Sequence, residues 1–449
     1  MIEIGTPLHD ALESYVKKDA ARFHMPGHKG QGNDEFSAIL PYDITEVEGA
    51  DSLFHANGPL LELEESFAQV YGAKRSLLSA GGATLCIQTM LALVCGTGKK
   101  LIAGRNLHRS AVNTMALLDL KPVWIYPGKS AGDWFQGRYT PDSVREALLE
   151  NPDAAAVYLT SPDYFGVMSD LSGIAEICRA FSVPLLVDNA HGAHLKFLPE
   201  RFGALHPMDC GASMCADSLH KTMPAMTGGA LLHIADSRYC EDAKRLMSMF
   251  GSTSPSYPIM LSCEAALQYA AVGAKAGFSR TARRVEELAS VARANGFALP
   301  VGVCDPAKLS LGFAAAGWDA HAFGQFLRGH GIEPEYISGT ACVLMANDWN
   351  RPEDYKKLEQ ALTVFEPREA AKPQEVDLPH PEQAVSVRRA AFSTQFTVDV
   401  ENSVGKIAAG EVSPCPPGIP IVMSGERIDE QTAQMLKQFG ILSICVMAD

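Results

Sequence analysis

The chain has no CxxC pair among its 11 cysteines, and the two nearest, Cys210 and Cys215, lie in an apolar, strand-like run. Thiols scattered in this way exclude a disulfide frame and point to a reducing compartment, the cytoplasm. Long hydrophobic runs are missing too. No uninterrupted apolar window reaches the roughly 18 residues that a membrane-spanning helix needs. The start, Met1-Ile2-Glu3-Ile4-Gly5, lacks the basic-then-apolar pattern of a secretory signal. Positive charge is scarce: 38 Lys and Arg face 52 Asp and Glu, a formal net charge of -14. That balance argues against a nucleic-acid binder, which would present a basic face, and it does not repel a cationic substrate. No internal repeat is present.

What the chain does have is 47% hydrophobic and 20% charged residues over 449 positions. This is the composition of a soluble globular protein, long enough for two or three domains. From about residue 60 strand-like and helix-like segments alternate. Helices are expected at 61–71, 85–94, 109–118, 141–149 (N-capped by Thr140) and 171–181, and strands at 73–79, 100–103, 123–126, 154–160 and 184–188. A further strand at 230–234 and a long helical region at 259–295 follow. The strands show no clean apolar alternation, as expected when helices cover both faces of a parallel sheet. The pattern implies an α/β fold with a doubly wound, mainly parallel sheet, where ligands bind beyond the carboxyl ends of strands. A smaller α+β domain is expected after residue 297, then a Pro- and Glu-containing linker at 366–384. The last segment carries Pro414-Cys415-Pro416-Pro417-Gly418-Ile419-Pro420, whose prolines forbid a helix or central strand there.

Two stretches carry the chemistry. The apolar run Leu185-Leu186-Val187 ends in Asp188, followed by Asn189, Ala190 and His191. Further on comes Asp217-Ser218-Leu219-His220-Lys221-Thr222. A lone lysine is normally a solvated charge, and an aspartate after a strand is often only a turn residue. Together, in this order, they are what pyridoxal 5'-phosphate (PLP) requires. The amine of Lys221 would join the cofactor aldehyde, Asp188 would keep the pyridine nitrogen protonated, and Ser218 and His220 would hydrogen-bond the phosphate. The small-residue turn Ala80-Gly81-Gly82-Ala83-Thr84 lies between a strand and a helix, where backbone N–H groups and the helix dipole face an anion. Such turns also serve packing alone. His108, after another strand, is either a ring-stacking residue or a structural one. The Ser/Thr/Pro cluster at 252–258, with Ser254, is either a hydroxyl-rich lip over a phosphate or an N-capping loop. Of the acidic stretch Thr45–Asp51, Glu46 is the best candidate to pair a substrate cation. No metal ligand set is expected.

The sequence resembles the bacterial ornithine/lysine/arginine decarboxylases, PLP enzymes of the aspartate-aminotransferase fold (fold type I). The likeness rests on Phe23-His24-Met25-Pro26-Gly27-His28-Lys29-Gly30, Asp43–Glu46, Asn106–Ser110, Asp188–His194, Ser218–Lys221, Thr253–Pro258 and Pro416–Pro420. The version it is similar to is the short one, without an N-terminal receiver-like domain. The resemblance implies decarboxylation of a basic amino acid to an amine and CO2. It makes Lys221 and Asp188 the catalytic pair, stacks His108 on the ring, and gives proton transfer to Lys221 or a nearby histidine, His191. The phosphate would lie among Gly82, Ala83, Thr84, Ser218 and His220. A homodimer with shared sites is implied, Ser254 serving the neighbouring subunit. The implied division is 1–58 (arm and active-site loop), 59–290 (major domain), 291–370 (small domain) and 371–449 (linker and C-terminal segment). Against the family pattern, Gly82 and Ala83 replace hydroxyl residues, Cys86 an Asn, Asn189 a Glu, Gly228 a Gln, Cys415 a Tyr and Glu264 an Asp. Another fold-type-I reaction, aminotransfer or elimination, uses the same Asp and Lys. A silent PLP-binding paralogue that regulates a decarboxylase is the alternative from another class.

Overall fold

Seven of the apolar runs pair into one sheet in the computed structural model, which describes residues 4–32, 35–128, 137–369, 378–413 and 419–448. The strands are β1 (Arg75–Ser79), β2 (Lys100–Gly104), β3 (Lys121–Ile125), β4 (Ala156–Thr160), β5 (Leu185–Asp188), β6 (Met214–Asp217) and β7 (Ala230–Ile234). Their order is β1-β7-β6-β5-β4-β2-β3. β7 runs antiparallel to both its neighbours, while β5 and β6, β2 and β3, and β2 and β4 pair in parallel. Every residue of β5, β6 and β7 is buried, which is why no alternation marks them. The α/β class and mainly parallel sheet expected above are therefore present.

Local chemistry sets the boundaries. Thr140 caps the helix Pro141–Glu150, its hydroxyl accepting from the Ser143 N–H in a reciprocal capping box. β3 begins two residues before the expected strand: Lys121 is exposed yet pairs in register with Lys100, because backbone pairing on an edge strand needs no apolar side chain. The region expected as one long helix is two, Tyr257–Val272 and Ala274–Ala294, separated by Gly273. Cys210 ends the short helix Pro207–Cys210, so of the closest cysteine pair only Cys215 lies in a strand.

The chain divides into two compact units. The first comprises Met1–Val94 and Leu186–Phe278. Within it the helix Pro7–Lys17 gets no side-chain cap from Thr6; the buried carboxylate of Glu264 accepts instead from the N–H groups of Leu8 and His9, both at 2.8 Å. Asp51 plays the same part for the helix Pro59–Tyr71, accepting from Gly58 and Leu60 N–H groups as well as from Ser52 and Asn57.

The second unit comprises Cys95–Leu185 and Ser279–Asp449. It contains a three-stranded sheet, β8 (Lys308–Leu311), β9 (Tyr336–Ile337) and β10 (Cys342–Met345), ordered β8-β10-β9. Helices Ala320–Gly329 and Pro352–Thr363 accompany it around Phe297, Phe313, Phe323 and Phe365. This is the small α+β region expected from the sequence. The supposed linker begins as part of it: the Arg368 N–H donates to Ala316 O and the Trp318 indole to Glu366 O. Of the linker, 370–377 lie outside the described residues, as do Pro414–Gly418 with Cys415. Among the described residues on either side are the helix Glu430–Gln438 and β12 (Ser443–Met447), which pairs antiparallel with β11 (Gln395–Asp399). Among the described residues no helix is long and apolar enough to cross a membrane.

Candidate active site

Parallel pairing of β5 and β6 places Asp188 opposite Ala216, one residue before Asp217. After Asp217 the chain turns through Ser218 into the one-turn helix Leu219–Thr222, which carries His220 and Lys221. Two short segments that open at adjacent strand ends are thus held side by side by sheet hydrogen bonds. Across them the Lys221 Nζ lies 3.1 Å from His191 Nε2. Asp188 is buried, and its Oδ1 accepts from the Ala190 N–H at 3.0 Å, which fixes the carboxylate at the start of the loop that bears His191.

The turn at 80–84 joins the same cluster through the loop that leads into β7. The His220 N–H and Nδ1 both bond to Gly229 O, at 3.3 and 3.0 Å. The neighbouring Gly228 O accepts from the Gly82 N–H at 2.8 Å. Gly228 has φ +103, and a Cβ there would lie 3.2 Å from Ala80 O, so glycine at this position keeps the two loops in contact. Gly82 (φ +68) opens the helix Gly82–Cys95, and the Ser79 hydroxyl shapes the turn by donating to Gly82 O and accepting from the Gly81 N–H. The N–H of Gly82 is therefore spent within the protein. The N–H groups of Ala83 and Thr84, in the first turn of that helix, have no intrahelical acceptor to go to, and Thr84 is exposed. Cys86 is buried beneath; burial foremost, then the fields of Asp217 and Asp188, pushes its thiol pKa up, so it is a packing residue.

These residues fit PLP. An amine beside a histidine, a buried carboxylate at a strand end and a glycine-shaped helix N-terminus are the donor set that an aldehyde, a pyridine nitrogen and a phosphate require. His220 would serve the phosphate through Nε2, since Nδ1 donates to Gly229 O; that role requires the doubly protonated ring.

The other expected residues stand further from this cluster's bonds. His108 caps the helix Arg109–Leu118, its Nδ1 accepting from the Ser110 N–H at 3.2 Å, a structural task that also settles the tautomer of the neutral ring. It belongs to the second unit. Ser254 is exposed, and its N–H donates to Ser252 Oγ at 3.1 Å; the next-but-one residue, Ser256, caps the helix Tyr257–Val272. Glu46 is exposed, and its Oε1 accepts from the Ser52 hydroxyl at 2.6 Å. Sequence reading missed one group altogether. Asp217 is wholly buried with His206 and His233, Nε2 of each within 3.5 Å of its Oδ2. Three residues on three separate elements, with no common spacing, leave no signal in the sequence.

The model of the Orn/Lys/Arg decarboxylase major domain matches residues 6–295, and that of the family's C-terminal domain matches 370–445. The chain is similar to an arginine decarboxylase of Bacillus subtilis, 30% identical with 96% of this chain and 93% of that protein covered. It is also similar to the constitutive lysine decarboxylase of Escherichia coli, 27% identical over 59% of this chain and 40% of that one. The solved structure of the Escherichia coli constitutive lysine decarboxylase superposes with a TM-score of 0.80 at 20% identity, covering 99% of this chain and 82% of that one. Lysine decarboxylase A from Pseudomonas aeruginosa superposes with a TM-score of 0.82 at 18% identity, covering 97% and 76%. With its fold shared by these enzymes, and with both domain models matched along a chain that brings Lys221, His191 and Asp188 to adjacent strand ends, the protein belongs to the Orn/Lys/Arg decarboxylase family.

Proposed function

We propose that this protein is a PLP-dependent decarboxylase of a basic amino acid, lysine, arginine or ornithine. The observation that carries the reading is the 3.1 Å approach of Lys221 Nζ to His191 Nε2 beside the buried Asp188, in a chain matched by the family's two domain models. When bound, PLP supplies the electron sink that takes up the electron pair left by the departing CO2. The chain's own residues do the rest. His191 Nε2 can take a proton from Lys221 Nζ, leaving the neutral amine that a nucleophilic lysine must be. Lys221 and His191, so paired, form a two-atom relay that returns a proton to the substrate carbon once the carboxyl group has left. Asp188 presents its carboxyl group at a fixed, buried position, so little solvent has to reorganise around it as charge moves during the reaction. With PLP bound, the N–H groups of Ala83 and Thr84 in the first turn of the helix Gly82–Cys95 would hold the phosphate, together with Ser218 and His220.

Relatives named as arginine and lysine decarboxylases support the basic substrate class without choosing within it. Glu46 as reader of the distal cation, His108 as the ring-stacking residue, a homodimer in which Ser254 serves the partner's site, and a cytoplasmic setting complete the proposal. One experiment tests it. The purified protein is loaded with PLP, one half reduced with borohydride and mapped by mass spectrometry, the other offered a panel of labelled amino acids. The expected result is a phosphopyridoxyl group on Lys221 and CO2 release fastest from a basic amino acid. Asp188→Ala should retain the label and lose roughly 10²-fold or more in turnover. A label on another lysine sinks the assignment of Lys221. Keto acid without CO2 replaces decarboxylation with aminotransfer, and a labelled Lys221 with no turnover of any amino acid makes the chain a silent paralogue.

A further inference from the structure

Asp217 ends β6, four residues before Lys221, and is 0% exposed. Burying a carboxylate costs several kcal/mol unless donors surround it, and here they do. Asn189 Nδ2 donates to Oδ1 at 2.7 Å, and His206 Nε2 lies 2.9 Å from Oδ2. His233 Nε2 lies 3.5 Å from the same oxygen, and Cys215 Sγ is 3.7 Å from Oδ1. His206 Nδ1 accepts from the Met208 N–H at 3.3 Å, so the proton of the neutral ring sits on Nε2 and points at Asp217. That same proton argues against a metal ion among the three groups, since a metal would need the Nε2 lone pair. His233 is anchored on its far side by the Ser76 hydroxyl, 2.7 Å from Nδ1, and its ring stacks on Tyr71 with centroids 4.3 Å apart. The Tyr71 hydroxyl in turn donates to Ala193 O at 3.2 Å. Burial outweighs the neighbouring carboxylate and holds the His233 pKa down, so Asp217 faces a neutral ring there.

The partners of this carboxylate are what give it a role. Asn189 directly follows Asp188, and Ala193 lies two residues after His191. The network therefore grips both ends of the loop that carries Asp188 and His191, and it does so from the residue that launches the Lys221 segment. We propose that Asp217 is a positioning residue: its carboxylate, held by Asn189 and His206 and closed in by the His233 ring, sets the Lys221 segment against the Asp188–His191 loop and so fixes the approach of Nζ to Nε2. This rests on Lys221 being the cofactor lysine, as read above.

The test is Asp217→Asn in the PLP-loaded protein. The amide turns one of the two carboxylate oxygens into an NH2 donor, so Oδ1 and Oδ2 no longer both accept, one from Asn189 and the other from His206. Three quantities are read: the label on Lys221 after borohydride, the pH midpoint of the visible absorbance, and kcat with KM. Lys221 should still be labelled, the midpoint should move by about half a pH unit or more, and kcat should fall about 10²-fold with KM nearly unchanged, the scale expected for a reacting group displaced by about 1 Å. The double substitution Asn189→Asp/Asp217→Asn restores one carboxylate and one amide across the same gap and should bring the midpoint and much of kcat back. A variant with the wild-type midpoint and wild-type kcat overturns the proposal, and so does a double variant no better than the single one. Stoichiometric metal in the wild-type protein that is lost in Asp217→Asn overturns it in favour of a metal site. If Asp217→Asn does not fold, Asn189→Ser is read in its place, with the same midpoint shift expected and an unchanged midpoint overturning the assignment. Absence of label on Lys221 in the wild-type protein is a failure of the functional reading, and is told apart by being seen before any substitution is made.

Discussion

Asp163 shows how much one buried carboxyl can do. It follows β4 closely, its Oδ1 accepts from the Val167 N–H at 2.8 Å, and its buried Oδ2 has no hydrogen-bond partner among the described residues. Burial raises its pKa to about 7, against the pull of the Val167 N–H and of Lys308. The folded protein therefore keeps a proton here that the unfolded chain gives up near pH 4. Because the folded state binds more protons, stability contributed by this group falls as pH rises, and the fall spans the window between about 4 and about 7. At about 1.4 kcal/mol per pH unit the full effect is on the order of 4 kcal/mol. Asp163→Asn should flatten that part of the profile, as measured by denaturant unfolding at pH 5 and pH 7.5. Equal slopes in both proteins would show that Asp163 is ionised throughout.

Among the elements, the N-terminal helix Pro7–Lys17 depends on a side chain over two hundred and fifty positions away, Glu264, with a sequence separation of 256 to Leu8. Glu264→Ala would leave the N–H groups of Leu8 and His9 without their acceptor. The expected cost is about 1–2 kcal/mol, the size of a lost N-cap. It should be local, seen as faster amide hydrogen exchange over residues 7–17 with little change at β5 and β6. Unaltered exchange in that helix would show that packing of Leu8 and Leu12 holds it unaided. The glutamate stands where the family resemblance led us to expect an aspartate. Here its carboxylate caps the N-terminal helix, a structural task in the arm.

At the scale of the whole molecule, a buried ion pair in the second unit joins residues across a sequence separation of 321. Arg105, following β2, donates through Nη1 and Nη2 to the two oxygens of Glu426 at 2.6 and 2.7 Å, and both side chains are fully enclosed. Arg105 also donates to Pro420 O and Ile421 O, and Glu426 Oε2 accepts from the Met423 N–H. Removing one partner leaves an uncompensated buried charge. Glu426→Ala should lower stability by about 3–5 kcal/mol, read from denaturant unfolding followed through Trp124, whose ring lies 5.9 Å from the guanidinium carbon. The apolar pair Arg105→Met/Glu426→Leu should recover most of the loss. A small effect of Glu426→Ala would mean that water reaches the pair.

Local rules account for the features legible in the order of residues alone. The sheet strands are short apolar runs, the helices between them have ordinary caps such as Thr140, and Lys221 and Asp188 announce themselves because each closes a recognisable run. Gly228 and Gly273 were visible as glycines, but their reasons, a close loop contact and a helix break, were not. Tertiary structure decided everything that depends on residues meeting across elements. It alone brings His191 to Lys221, commits His220 Nδ1 to Gly229 O, spends the Gly82 N–H on Gly228, gives Glu264 a helix to cap and surrounds Asp217 with Asn189, His206 and His233. The physical reason is range. Propensity and periodicity act over a few neighbouring residues, whereas a buried polar group takes whatever donors the fold carries to it, and those lie tens to hundreds of positions away.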